Sequence, residues 1–346
     1  MTETPLGVMR SEVDLGAPAI DVADVPPPPG TPPKKIIGRS PGQLAWMRLR
    51  RDRVARSSGI VLLVFVAVAI LAPVIEMVYG KGPYDRFNRV GVYLDSRGEP
   101  LGYLGGISGS HWFGLTPNDG ADIFINVVYG IRTSLGIAFA SAIITVAIGI
   151  VIGIVAGYAG GKVDTVISWV IDVALAFPFF VFALAAIPLL TYRFYTPRDQ
   201  VPTWFLVVLL VGIFTLFNWT YTARLVRGQV LSLREREFVE AARAAGAGTR
   251  HILFRQLLPN LWAPILVTFS LSVPAFITAE AALSFLGIGL IEPTPDLGRL
   301  IFSSSRTIRN DPAFTVICGS VIFSIVLAFN LFGDSLRDAL DPKSGR

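Results

Sequence analysis

Long apolar runs alternate with polar stretches along this chain, and the runs set its architecture. A helix needs about 20 apolar residues to cross about 30 Å of hydrocarbon. Six runs meet that length, at 59–78, 134–158, 166–190, 202–222, 261–290 and 313–333. The pattern predicts an all-α membrane protein with six transmembrane helices. Pro178 and Pro188 interrupt the third run, and Pro264 and Pro274 the fifth, so both are expected to bend or tilt. Neighbouring helices in a bundle satisfy the carbonyls that such breaks release.

The polar stretches divide the remainder. Residues 1–41 hold nine prolines and cannot bury a core, which predicts a disordered tail. Over 42–58, five arginines (48, 50, 51, 53 and 56) are interleaved with Leu44, Trp46, Met47, Leu49 and Val54. That pattern predicts a basic amphipathic helix resting on an anionic leaflet before the first span. The 79–133 stretch is too long for a connector and predicts a small external subdomain. Within it, 90–94 and 101–104 flank Ser96-Arg97-Gly98 as a β-hairpin would, and 121–129 suits an interfacial helix. The core then runs over 134–333, with a polar loop at 223–260 and a tail at 334–346.

Orientation follows from the cationic loops. If the N-terminus is inside, the inner segments hold 20 of the 30 Lys and Arg residues. Both termini and the 223–260 loop are therefore expected in the cytoplasm, with 79–133 outside. No cleaved secretory signal is expected, because the first 30 residues lack an apolar stretch.

Composition agrees. Only 16% of residues are charged, against roughly 25% in soluble domains. One cysteine and two histidines exclude an internal disulfide and make a metal site unexpected. The net charge of +5 fits basic cytoplasmic loops and needs no nucleic acid.

No catalytic signature emerges. Gly160-Gly161-Lys162 resembles the end of a phosphate loop, but Val163 stands where Ser or Thr is required and Ala156 where Gly is. Gly106-Ile107-Ser108-Gly109-Ser110 is not a nucleophile elbow, since the last Gly is missing. Two acids, Asp172 and Glu280, lie within apolar runs. An intramembrane acid points to a translocation path or to a structural pair, and both readings stay open. Gly149, Gly153, Gly157 and Gly161 recur every four residues, a pattern for close helix packing.

The inner loop is the informative segment. Ala and Glu predict a helix over 235–245, and Gly246 or Gly248 suits its end. A second helix is expected over 250–258, leading into the fifth span. Small side chains on such a projecting hairpin admit a partner groove.

Glu240-Ala241-Ala242, Gly246 and Gln256-Leu257-Leu258-Pro259 together resemble the coupling loop of ABC importer permeases. The similarity extends to Tyr129–Leu135, to Leu283-Ser284-Phe285-Leu286-Gly287 and to the closing Arg337-Asp338-Ala339-Leu340-Asp341-Pro342. These segments resemble the dipeptide/oligopeptide branch, in its second, C-type permease, across roughly residues 42–343. Gln256 departs from the family's usual Ile, and 114–122 from its usual Gly-Thr-Asp…Gly-Arg-Asp stretch.

The resemblance implies a type I ABC importer permease fold in a bacterial plasma (inner) membrane. It implies half of a conduit, completed by a second homologous permease. It implies two cytoplasmic ATPases holding ATP and Mg, an external binding protein, a peptide substrate, and no catalysis or cofactor in this chain. It places Glu240, Ala241, Ala242, Gly246 and Pro259 at the ATPase contact. A self-sufficient secondary transporter or channel is the competing class, but it has no use for such a loop.

Overall fold

The structure is a computed structural model describing residues 41–196 and 198–341. The expected proline-rich tail lies outside the described residues except for Pro41, and the C-terminal tail is described only to Asp341. The basic stretch at 42–58 forms two helices rather than one. α1 covers Pro41–Arg51 and α2 Arg53–Tyr79. Asp52 divides them. Its backbone turns extended (ψ 125°), and its carboxylate caps α2 by accepting the Val54 N–H at 2.9 Å. A hydrogen bond from Ser335 holds the Asp52 carboxyl below its ordinary range.

α3 (Ile123–Ala159) is one helix of 37 residues, about 55 Å long. It absorbs most of the separate interfacial helix expected over 121–129. No proline breaks it, and the Asp122 carboxylate caps it at the Ile125 N–H (3.3 Å). The third run becomes α4 (Gly161–Ala176) and α5 (Phe179–Phe194), bent by 80°. Pro178 forces the bend, because the residue before a proline is driven out of the α region, and Phe177 sits at ψ 129°.

α6 (Thr203–Leu233) runs eleven residues beyond its apolar stretch. The fifth run forms α9 (Trp262–Phe285), which is continuous through its prolines, so of the tilt or break expected there no break occurs. Pro264 falls in the first turn, where an N–H has no helical partner to lose, and Pro274 is carried inside the continuous helix. A short α10 (Leu297–Thr307), unforeseen from sequence, precedes α11 (Pro312–Leu340).

Five of these helices (α2, α3, α6, α9 and α11) are long and apolar enough to cross a membrane, and the α4–α5 pair makes a sixth if it counts as one span. The helix α3 is central, packing on α2, α4, α6, α9 and α10. Phe214, Ile137, Ile277, Phe314 and Cys318 form the middle of the core.

Three of the four spaced glycines face α6. A Cβ on Gly153 would sit 2.7 Å from the Ala223 carbonyl oxygen, and one on Gly157 2.8 Å from Val230 Cβ. Gly149 meets Thr222 in the same way. Gly161 does not belong to this seam. It opens α4 at φ +53°, with open space around it, because the chain has already turned at Gly160.

Residues 80–122 form a lobe of turns. The expected hairpin is absent as a ladder; only isolated bridges occur, including Leu94 with Pro100. Glycines at positive φ (Gly91, Gly98, Gly102, Gly105) interrupt every stretch that would extend. Buried Asp122 ties the lobe to the bundle, accepting from the Tyr79 hydroxyl and His111 Nδ1, each at 2.8 Å.

Candidate functional site

Between α6 and α9 the chain builds a small projecting unit. α7 (Glu237–Ala244) is shorter than the expected 235–245 helix. It ends where sequence indicated. Gly246 takes φ +81°, its N–H reaches the Arg243 carbonyl, and the Ala247 N–H reaches that of Ala242, both at 2.9 Å. This is a Schellman cap, which costs glycine nothing sterically. A Cβ there would meet open space, so backbone conformation alone demands the glycine.

The second helix expected over 250–258 is irregular. One α-turn, α8 (Thr249–His251), widens to a π-helix (Ile252–Leu257) and tightens to a 3-10 turn (Leu258–Asn260). Pro259 accounts for the change, since its missing N–H cannot continue an α ladder.

The unit has two faces. Val239, Ile252, Leu257 and Leu261 are buried against Val146 of α3, Val226 and Val230 of α6 and Ile265 of α9. Arg234 adds a hydrogen bond from its guanidinium to the Gly157 carbonyl at 3.0 Å. The other face is open. Glu237, Phe238, Glu240 and Ala241 are exposed, while Ala242 is half-buried. Phe254 is 61% exposed, a large apolar surface for a ring beside Arg250 and Arg255. Phe238 and Phe254 thus leave ring surface uncovered above a packed base. Sequence reasoning did not single out Phe238 and Phe254; their signal was that they are the loop's two phenylalanines, each next to a charged residue.

The intramembrane acids separate in the structure. Asp172 lies on the exposed side of α4 and pairs with Arg224 of α6. A second clamp, from Arg227 of α6 to Asp164 of α4, lies nearby, with the Nη2–Oδ2 contact at 2.8 Å. Glu280 is fully buried, and Ser284 donates to its Oε1 at 3.2 Å. It faces Asp296, the cap of α10, whose carboxyl burial pushes up. Neither acid therefore lines the concavity at the helix break.

That concavity, of about 420 Å³, lies among α3, α5, α6 and α9 at mid-length. Phe179, Phe180 and Phe276 supply rings, and Asn218, Tyr221, Thr268 and Ser272 supply neutral polar groups. No ionisable acid or base other than the tyrosine lines it. Thr268, Ser272 and the Asn218 amide donate to carbonyls of their own helices, so the concavity offers their remaining acceptor lone pairs and the Tyr221 hydroxyl without choosing a sign of charge. Single residues gave no signal for it, because four helices contribute and each hydroxyl alone is ordinary in a helix.

Comparison with known proteins places these features. Residues 149–346 match the family described as "binding-protein-dependent transport system inner membrane component". Residues 40–89 match the "N-terminal TM domain of oligopeptide transport permease C". The dipeptide transport system permease protein DppC of Alkalihalophilus pseudofirmus is 36% identical over 92% of this chain and 95% of its own length. The glutathione transport system permease protein GsiD of Shigella flexneri is 38% identical over 88% and 91%. For the oligopeptide transport system permease protein OppC of Escherichia coli K12 the figures are 34%, 89% and 93%. A solved inward-facing structure of the MetNI methionine ABC transporter superposes at a TM-score of 0.50 and 19% identity, covering 62% of this chain and 96% of that one. That likeness speaks to the fold alone.

Proposed function

This chain belongs to the family of binding-protein-dependent transport inner membrane components, as a permease of the dipeptide/oligopeptide type, and on that premise we propose how it works. It is a multi-pass inner-membrane protein. In this reading it spans six times, counting α4–α5 as one span, with both termini inside. It pairs with a second homologous permease, two cytoplasmic ATPases and an external binding protein. Peptides are the substrate, as the names of the relatives suggest. ATP and magnesium belong to the ATPases.

One observation carries the proposal, namely that α7 is exposed outward and fastened inward. An ATPase groove receives the face of Glu237, Phe238, Glu240 and Ala241, with Ala242 and Gly246 setting the shape of the turn. Pro259 fixes where the unit joins α9. Because Val239, Ile252 and Leu257 grip α3, α6 and α9, a displacement of α7 moves those helices together. Protein interiors are too densely packed to absorb such a push. Closure of the ATPases thus becomes rigid-body rocking of the helices and alternating access to the path.

The path contribution is the neutral concavity at the α4–α5 break rather than Asp172 or Glu280. Hydroxyl and amide groups there meet peptide backbone, which every peptide shares, and the absence of charge admits side chains of either sign. Selection then rests with the binding protein.

Ala241→Arg tests the reading, because Ala241 is exposed and its replacement is expected to leave the fold intact. Mildly solubilised wild-type chain is expected to bring down a second permease and P-loop ATPases. The variant is expected to keep the permease and lose the ATPases. Recovery of this chain alone in both samples overturns the proposal and favours a self-sufficient carrier.

A further inference from the structure

α1, α2, α9 and α11 enclose a groove of about 640 Å³ that the transport reading does not use. Its walls are almost wholly apolar, among them Leu63 and Val66 of α2, Phe269 of α9 and Phe332 of α11. Ser270 is the one polar residue deep within it, and its hydroxyl is already spent on the Val267 carbonyl at 2.9 Å. Charge appears at one end only, where Arg50 and Arg56 form the rim. Arg50 makes no ion pair among the described residues. The acid facing Arg56 is Asp52, which is engaged in capping α2.

The dimensions match one leaflet. From Arg56 to Val66 along α2 is about 15 Å. Half of the roughly 30 Å hydrocarbon core has the same depth. Trp46, 63% exposed, stands at the charged end, where amphipathic rings collect at the membrane–water boundary. A dry slot one leaflet deep, with two guanidiniums at its mouth, complements an acyl chain attached to a phosphate. Basic pockets between membrane helices take anionic headgroups for this reason. An apolar helix from another protein would fill the slot but leave Arg50 without a counter-charge.

We propose that this groove is a binding site for an anionic glycerophospholipid, with an acyl chain along α2 and its phosphate between Arg50 and Arg56. The lipid would fill the gap between α1–α2 and the α9–α11 pair and so complete the packing of the first span. This inference rests on the membrane placement, not on the peptide or ATPase assignments.

The test uses the assembled, delipidated transporter, titrated with phosphatidylglycerol or phosphatidylcholine and read by native mass spectrometry. Wild type is expected to prefer phosphatidylglycerol by about tenfold. Arg50→Gln with Arg56→Gln is expected to abolish that preference. Arg51→Gln with Arg53→Gln, the same loss of charge off the rim, is expected to keep it. Equal binding of the two lipids by wild type overturns the proposal without any variant. Equal loss in both double variants also overturns it, since the attraction is then only general charge. So does a second protein chain crosslinked into the groove. Loss of the ATPases with lipid preference retained counts against the coupling assignment and leaves this site standing.

Discussion

At the scale of single residues, Asp296 joins structure to pH. It caps α10, accepting the Arg299 N–H at 2.9 Å, yet it is buried opposite Glu280. Burial raises its carboxyl above the ordinary range. A carboxyl raised on folding stabilises fully below its unfolded value and loses that stabilisation as pH climbs through the folded one. Asp296→Asn keeps a capping oxygen and removes the titration. The variant is therefore expected to lose less melting temperature than wild type as pH rises above the ordinary carboxylate range. An unchanged gap between the two temperatures contradicts this account. Sequence flagged Glu280 as an acid in an apolar run but gave no hint of its neighbour. Asp296 lies sixteen positions on, and only the folding of α10 across α9 brings the two together.

Among elements, the α3–α6 seam tolerates little added volume. Its glycines let the helix axes approach until backbone meets side chain. Gly153→Leu places a branched side chain against the Ala223 carbonyl and Val226. Overpacking of this kind costs about 1–3 kcal/mol or more. Lower yield and a lower melting temperature are expected, with Gly136→Leu, at a position open to space, as the silent control. Equal effects from both would show that the seam is not special. This seam was legible in sequence because four-residue spacing is a local pattern. Gly161 shared the spacing but not the role, since a helix can end inside a periodic run. The lobe at 80–122 was misread in the opposite way. Alternating apolar residues suggested strands, while the positive-φ glycines among them prevented extension. The short helix α10 escaped notice because eleven residues are too few to register as a span.

For the whole molecule, the charge asymmetry of the loops predicts a topology that can be measured in cells. In a Cys318→Ser background, Ser108→Cys on the lobe is expected to react with an impermeant maleimide in spheroplasts, where the outer face of the inner membrane is accessible. Gly248→Cys beside α7 is expected to react only after the membrane is opened. The reverse pattern would invert the molecule and detach α7 from any cytoplasmic ATPase. The bend between α4 and α5 has a consequence for how the protein is made. Each half is 16 residues, about 24 Å long, so neither alone reaches across the hydrocarbon. A newly synthesised chain emerges in order, so this segment meets lipid before α6 and α9 exist to shelter the backbone opened at Pro178. Packing of the α4–α5 pair in its bent form is therefore expected to follow insertion of α6 and α9.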